Sequence, residues 1–254
     1  MNIFQRVELT NEQYHAEKEH ISSSGLKEIY SKGLWSYLQN KDVEKKQTPA
    51  MVFGSAYHCY ALEPDKFLDE YCISQKFDGR TKQGKADKAE FERINAGKTV
   101  INEEDFAKIV DMQKALQNFL SLNPDLYNIW ETSESEVSFF GVVENTPVKI
   151  RYDKYNSAFG ISIDLKTTQD ASPKGFPYEI RKYKYDIQDY HYRLNADRFI
   201  IIAQEKEYPY LVQAYELGVD SRAYGESKWK EAMSLYDMYR VYGHDELDTS
   251  IQVI

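Results

Sequence analysis

Cysteine is nearly missing from this chain: its 254 residues hold two, Cys59 and Cys72. They form no CxxC pair and no disulfide framework, which excludes a four-cysteine iron–sulfur cluster or zinc knuckle within the chain. A reducing, cytoplasmic setting is expected from that usage. Long apolar runs are also missing, and none approaches the ~20 residues that a membrane helix needs. The opening MNIFQRVELTNEQYHAEKEH has no basic start followed by an apolar block, so no signal peptide is expected. There is no linker rich in proline or glycine, no repeat and no low-complexity block, and one domain over 1–254 is expected. A net positive charge is missing too, since 41 acids outnumber 32 lysines and arginines. The net charge of −9 argues against a general nucleic-acid binder, whose surface is usually basic. Two segments run against that balance: Lys76, Arg80, Lys82, Lys85 and Lys88, and then Lys174, Arg181, Lys182 and Lys184.

What is present is a change of period. Hydrophobic residues make up 42% of the chain, enough for a core without help. Up to about residue 130 the pattern is helical. Ser22 to Ser24 can cap a short helix through Tyr30, and a second covers about Gly33 to Leu38. Thr48-Pro49 opens a helix through Leu62 that stops at Pro64. Residues 75–88 read as a mobile loop, and helices are expected over 86–95 and 103–121. From about 131 to 218 the reading is Glu134–Val143, Val148–Tyr155 and Ile161–Thr167 as strands, a helix over about Glu179–Asn195, then strands Phe199–Gln204 and Tyr210–Leu217. A last helix over about Ser221–Tyr242 closes the chain. The expected fold class is α+β (mixed α/β): a central sheet of about five strands, mostly antiparallel, flanked by helices.

The chemistry concentrates in one hairpin, RYDKYNSAFGISIDLK. On its second strand Ser162, Asp164 and Lys166 point one way and Ile161, Ile163 and Leu165 the other. The apolar set faces a core, so the opposite face carries a carboxylate and an ammonium side by side. Asp153, on the facing strand, falls nearly opposite Asp164, and cross-strand neighbours lie about 5 Å apart. Both carboxylates can then touch one hard cation, with oxygen ligands at roughly 2.1 Å for magnesium. Two acids and a lysine around a metal can cleave a phosphodiester, the lysine steadying developing negative charge. A solvated hairpin with cross-strand ion pairs has the same pattern. A metal-dependent nuclease would also reconcile the acidic balance, since it needs basic residues only along the DNA path.

Other residues fit the same two readings. His58, in Gly54-Ser55-Ala56-Tyr57-His58, is either a packed helix histidine or an imidazole ligand on a helix whose small residues let it approach the sheet. Gln188 and Tyr192, four apart on a helix, share a face and either pack or position a phosphate or water. Glu136 and Glu134 share a strand face, and either could reach the hairpin site. His191 is read as structural. Most of the 21 tyrosines are read as core and amphipathic surface, not as base-stacking platforms.

Taken in order, Gly54-x-x-x-His58, Glu136, Asp153, Asp164-Leu165-Lys166 and Gln188-x-x-x-Tyr192 resemble the PD-(D/E)xK nuclease superfamily. Tyr14-His15, Ile21-Ser22-Ser23-Ser24-Gly25-Leu26 and Asp164-Leu165-Lys166-Thr167-Thr168 resemble its exonuclease VIII (RecE-type) branch of phage and prophage exodeoxyribonucleases. The resemblance spans roughly residues 14–218. In place of the family's leading proline, Asp153 follows Tyr152. The resemblance implies a restriction-endonuclease-like core, with His58, Asp153, Asp164 and the Leu165 carbonyl as ligands of magnesium, for which manganese substitutes. It implies Lys166 as catalytic lysine, Gln188 and Tyr192 as the flanking helix element, and Glu136 as the site glutamate. The implied activity is digestion of duplex DNA from an end, leaving 3′ single-stranded tails for an annealing partner, by a ring-shaped oligomer. An endonuclease on the same fold, or a DNA-binding or docking protein that no longer cuts, are the alternatives.

Overall fold

The computed structural model describes residues 3–43 and 47–243. The chain begins with strand β1 (Ile3–Val7), helix α1 (Asn11–Ala16), α2 (Ser23–Lys32) and α3 (Leu34–Asn40). Ser22 caps α2 by accepting from the Gly25 N–H, as the serine run suggests. Helix α4 (Pro49–Leu62) starts from a Thr48 cap with proline in its first turn. A short α5 (Phe67–Glu70) leads to β2 (Tyr71–Ser74), α6 (Lys82–Ile94) and β3 (Thr99–Asn102). Next come α7 (Glu103–Ser121), α8 (Pro124–Thr132), β4 (Glu134–Val143), β5 (Thr146–Asn156) and β6 (Ile161–Thr168). Then follow α9 (Phe176–Tyr183), α10 (Tyr185–Tyr192), β7 (Arg198–Glu205), β8 (Val212–Tyr215) and α11 (Val219–Tyr242).

The main sheet has six strands in the order β1-β4-β5-β6-β7-β8, and β2 and β3 form a separate parallel pair. All neighbours in the large sheet are antiparallel except β6 and β7. The α9–α10 crossover between those two strands makes that parallel step possible. Helices cover both faces. Phe53, Ala56 and Tyr57 of α4, with Ile109, Met112, Leu116 and Leu120 of α7, pack on Ile161, Ile163, Leu165, Ile200 and Ile202. On the other face Ile187 of α10 and Trp229 of α11 pack with α2 and Val148, while Tyr192 and Phe176 pack with Ile150, Tyr152 and Phe199.

The structure departs from the sequence reading in several places, helix α1 and strand β3 among them, neither of which was expected. The sheet has a sixth strand, β1, at its edge. The segment 75–88 is a loop only up to Thr81, which caps α6. Helix α8 follows Asn123-Pro124, where none was read. The single helix expected over Glu179–Asn195 is two helices, broken at Lys184, which takes left-handed φ 56° and ψ 45°.

Helix α10 is fixed from behind. Asp186 and Lys228 form an ion pair, both almost wholly buried. A Cβ at Gly225 of α11 would lie 2.3 Å from the Asp186 carbonyl oxygen, so only glycine allows this approach. Trp229 Nε1 donates to His191 Nδ1 at 3.0 Å, which leaves the ring proton on Nε2 to donate to the Lys149 carbonyl at 3.0 Å. His191 is therefore structural and neutral, and burial lowers its pKa to about 4. The unfolded chain takes up this proton near pH 6.5, so the native state loses stability as pH falls from 6.5 toward 4, by up to about 3 kcal/mol from this group. Urea unfolding at a series of pH values should show that slope, and His191→Gln should flatten it. An equal slope in the variant would remove His191 as its source.

Candidate metal-dependent active site

The hairpin of β5 and β6 is regular only at its closed end. Lys154 pairs with Ile163, Tyr155 with Ser162 and Asn156 with Ile161, and the ladder stops there. The Leu165 N–H is taken instead by the Asp153 carboxylate, Oδ2 accepting at 2.8 Å. On the other side, β4 and β5 pair at Ser135–Lys154 and Val137–Tyr152 but not at Glu136–Asp153, where Glu136 takes φ 56°. The alternation slips at the same point. Tyr152 and Tyr155 are three apart and belong on opposite faces of a regular strand, yet their rings stack at 4.8 Å. A kink crossing both strands thus frees Asp153 and Glu136 from ordinary sheet positions. Tyr152, in the proline's place, is fully buried and donates its hydroxyl to the Tyr192 carbonyl at 2.8 Å, tying β5 to α10.

Asp164 is 1% exposed. Its Oδ1 accepts from Gln188 Nε2 at 2.7 Å and its Oδ2 lies 2.6 Å from Lys166 Nζ. Among the described residues the Lys166 ammonium is the one group that meets Oδ2, which is otherwise buried without a hydrogen-bond partner. The polar face of the hairpin is thus not solvated; α10 covers it. His58 comes from α4, on the apolar face, and its Nδ1 reaches within 3.6 Å of Asp153 Oδ2. The smallness of Gly54 is not what allows this. A Cβ there would meet only Thr167 Oγ1, at 3.9 Å, whereas Ala56 is fully buried.

The electrostatics follow from this crowding. Burial, and then the Asp164 charge, push the Asp153 carboxyl up to about 7, against Lys166 and the Leu165 N–H. Burial lowers the His58 imidazole, Lys166 adding to the effect and Asp164 and Glu136 opposing it. Burial and Asp153 raise Glu136, although Arg151 Nε donates to its Oε2 at 2.5 Å. Burial works against the Lys166 ammonium, but Asp164 and Asp153 outweigh it and raise its pKa. Of the two candidate glutamates, Glu136 is the one beside Asp153 and His58. Glu134 is held by a bidentate pair with Arg6 of β1, at 2.8 and 2.7 Å.

Gln188 and Tyr192 share a face, as their spacing predicts. The buried Tyr192 hydroxyl has its pKa raised first by burial and then by the charges of Asp164 and Asp153, with Gln188 opposing the rise. Two neighbours were not read from the sequence. Lys27 Nζ of α2 donates to Gln188 Oε1 at 3.3 Å, and burial with Lys166 nearby lowers its pKa to about 8. The Tyr185 ring lies 5.4 Å from Lys166 Nζ and 5.5 Å from Lys27 Nζ. A small-residue helix start, Ser23-Ser24-Gly25, was the available sign that α2 packs closely: a Cβ at Gly25 would sit 3.0 Å from the Tyr37 ring.

Among the described residues no group of three or more His, Cys, Asp or Glu side chains is gathered tightly enough to hold a metal as it stands. The donor chemistry nonetheless fits a divalent cation. The site offers two carboxylates, one with a buried oxygen met only by the Lys166 ammonium, a backbone carbonyl and an imidazole whose neutral form burial favours.

A kinked hairpin that carries two acids and a lysine, backed by a helix with glutamine and tyrosine and set in a mixed sheet, defines a PD-(D/E)xK nuclease fold. The chain belongs to the family described as PDDEXK-like domain of unknown function (DUF3799), whose profile matches residues 22–244. Among curated proteins none matches the sequence. The fold is similar to that of the Eubacterium rectale protein named "Putative exonuclease", with TM-score 0.59 and 17% identity over 98% of this chain and 97% of that one. SSO0001 aligns over 91% of this chain and 89% of its own at 15% identity, with a TM-score of 0.35, too low to bear on the fold. No helix among the described residues is long and apolar enough to cross a membrane.

Proposed function

We propose that the protein is a divalent-metal-dependent exodeoxyribonuclease that acts on duplex DNA ends and leaves 3′ single-stranded tails. The observation that carries this reading is the convergence of Asp153, Asp164, Lys166, Glu136 and His58 where the β5–β6 ladder opens. The family description and the name of the E. rectale protein of similar fold support it.

His58, Asp153, Asp164 and the Leu165 carbonyl would hold magnesium or manganese. When bound, the cation supplies Lewis acidity that screens the phosphate and acidifies water. The chain's own groups do the rest. Lys166 presents a permanent positive charge to the phosphate oxygens. Gln188 fixes the Asp164 carboxylate, and Lys27 fixes Gln188 by occupying its carbonyl oxygen. Glu136, held by Arg151, stands beside Asp153 as a further acceptor for a water.

Linear and covalently closed circular duplexes, each incubated with magnesium or manganese, test the reading. Digestion of the linear form alone is expected. Cutting of both would make the protein an endonuclease, and cutting of neither would leave a DNA-binding or docking protein. If linear DNA is digested, labelling each strand end reports whether 3′ tails remain.

His58 yields a separate prediction. His58→Ala should require much more metal for half-maximal activity, and His58→Asp should recover part of the loss by offering a hard oxygen. Because a ligand imidazole must be neutral, protonation of His58 should cost activity only at pH values below the ordinary histidine range, after any loss from Asp153, whose carboxyl is raised to about 7. A His58→Ala enzyme that is heat-labile but fully active at ordinary magnesium would make the histidine a packing residue.

A further inference from the structure

The break between α9 and α10 has a chemical consequence beside the site. In a continuous helix, residues i and i+2 do not face each other. Tyr183 and Tyr185 flank Lys184, whose left-handed backbone is uncommon for a residue other than glycine and is found where surrounding structure enforces it. The result is that the two rings stack, with centroids 5.8 Å apart and an interplanar angle of 29°. The inner ring, Tyr185, lies against Lys166. The outer ring, Tyr183, is 47% exposed and has Lys182 Nζ 4.8 Å from its centroid. A continuous file therefore runs from the proposed catalytic ammonium, across two aromatic rings, to a surface cation.

The charge around this file suits a phosphate backbone. Along residues 174–184, Lys174, Arg181, Lys182 and Lys184 stand against one acid, Glu179, in a chain of net charge −9. Glu179 is partly buried and lies 3.9 Å from Lys182 Nζ, whose own side chain is half exposed, a long contact of little strength. Arg181 and Lys182 are exposed. Stacked, partly exposed rings edged by cations are what a nucleic-acid strand with unpaired bases needs, since every base has a face to stack and every linkage a charge to place.

We propose that the outer face of Tyr183, backed by the Tyr185 ring, is a base-stacking step for single-stranded DNA on its way to or from Lys166, with Arg181 and Lys182 along the strand's backbone. The link to cleavage rests on the nuclease reading; the binding site does not.

A fluorescein-labelled oligothymidylate, titrated by polarisation in EDTA so that nothing is cut, tests the stacking step. Wild type should bind. Tyr183→Ala should bind about tenfold or more weakly, Tyr183→Trp should bind like wild type, and both should melt like wild type because the ring is half exposed. On an oligonucleotide of abasic sites, wild type and Tyr183→Ala should bind alike, because no base remains to stack. Binding of oligothymidylate by Tyr183→Ala at wild-type strength would overturn the stacking step, as would no binding by wild type, or a loss equally large on the abasic strand. Should wild type digest DNA while Tyr183→Ala binds normally, the stacking step fails and the nuclease reading stands. Should binding depend on Tyr183 in a protein that cuts no DNA with either metal, the nuclease reading fails and the single-strand site stands.

Discussion

Lys166→Ala is expected to lose about 10²–10³ in cleavage rate, the usual consequence of removing one charged contact to a transition state, while keeping its affinity for manganese. The geometry separates the two effects. Lys166 Nζ contacts Asp164 Oδ2 and donates nothing to a cation. Its positive charge competes with a divalent ion for the same carboxylates. Taking it away leaves Asp153 and Asp164 less compensated, which favours a cation between them. Calorimetric titration with manganese should therefore show affinity equal to or above that of wild type, beside single-turnover rates that have collapsed. The variant should also fold, because the Lys166 side chain is partly exposed and its aliphatic stem makes no core. Ordinary turnover at saturating manganese, together with weakened binding, would reverse the roles assigned to the lysine and the acids.

The hairpin was legible because alternation is a short-range property. Ile161, Ile163 and Leu165 announce a buried face, and their partners Ser162, Asp164 and Lys166 follow from the period alone. What the period cannot show is how the second face is covered. Asp164 reads as an exposed acid, but α10 buries it, and that depends on the α10–α11 packing around Asp186, Gly225 and Lys228. The choice between Glu134 and Glu136 was open because both lie on one strand face in sequence. In the structure a kink turns Glu136 toward Asp153, while Arg6 holds Glu134 from β1, a five-residue edge strand too short to announce itself. The helix break at Lys184 carries no local signal either. Lysine has no preference for left-handed backbone, so the conformation is imposed by tertiary contacts. Lys27 was missed for a related reason: a lysine on a short capped helix is normally solvated, and only the closeness of α2 to α10 buries it.

Asp164→Asn should abolish cleavage, with a loss of about 10³-fold or more, the several kcal/mol that a metal's charge stabilisation is worth, and should weaken manganese binding. The fold should survive. An asparagine carbonyl can keep accepting from Gln188 Nε2, now at 2.7 Å from Oδ1, and Asp153 stays near Lys166 to balance its charge. Asp153 should respond in turn. Its carboxyl is raised by burial and by the Asp164 charge, so removing that charge should move its titration below about 7. Asp164→Ala is a poorer probe, for a reason visible only in three dimensions. It leaves Gln188 Nε2 without an acceptor in a buried place, at about 1–3 kcal/mol, whereas the loss of the nearest counter-charge of Lys166 is common to both variants. The asparagine variant should melt below wild type and the alanine variant lower still, with neither cutting DNA. Were Asp164→Asn to digest linear duplex at the wild-type rate, Asp164 would be a structural acid, and the opening of the β5–β6 ladder would need another explanation.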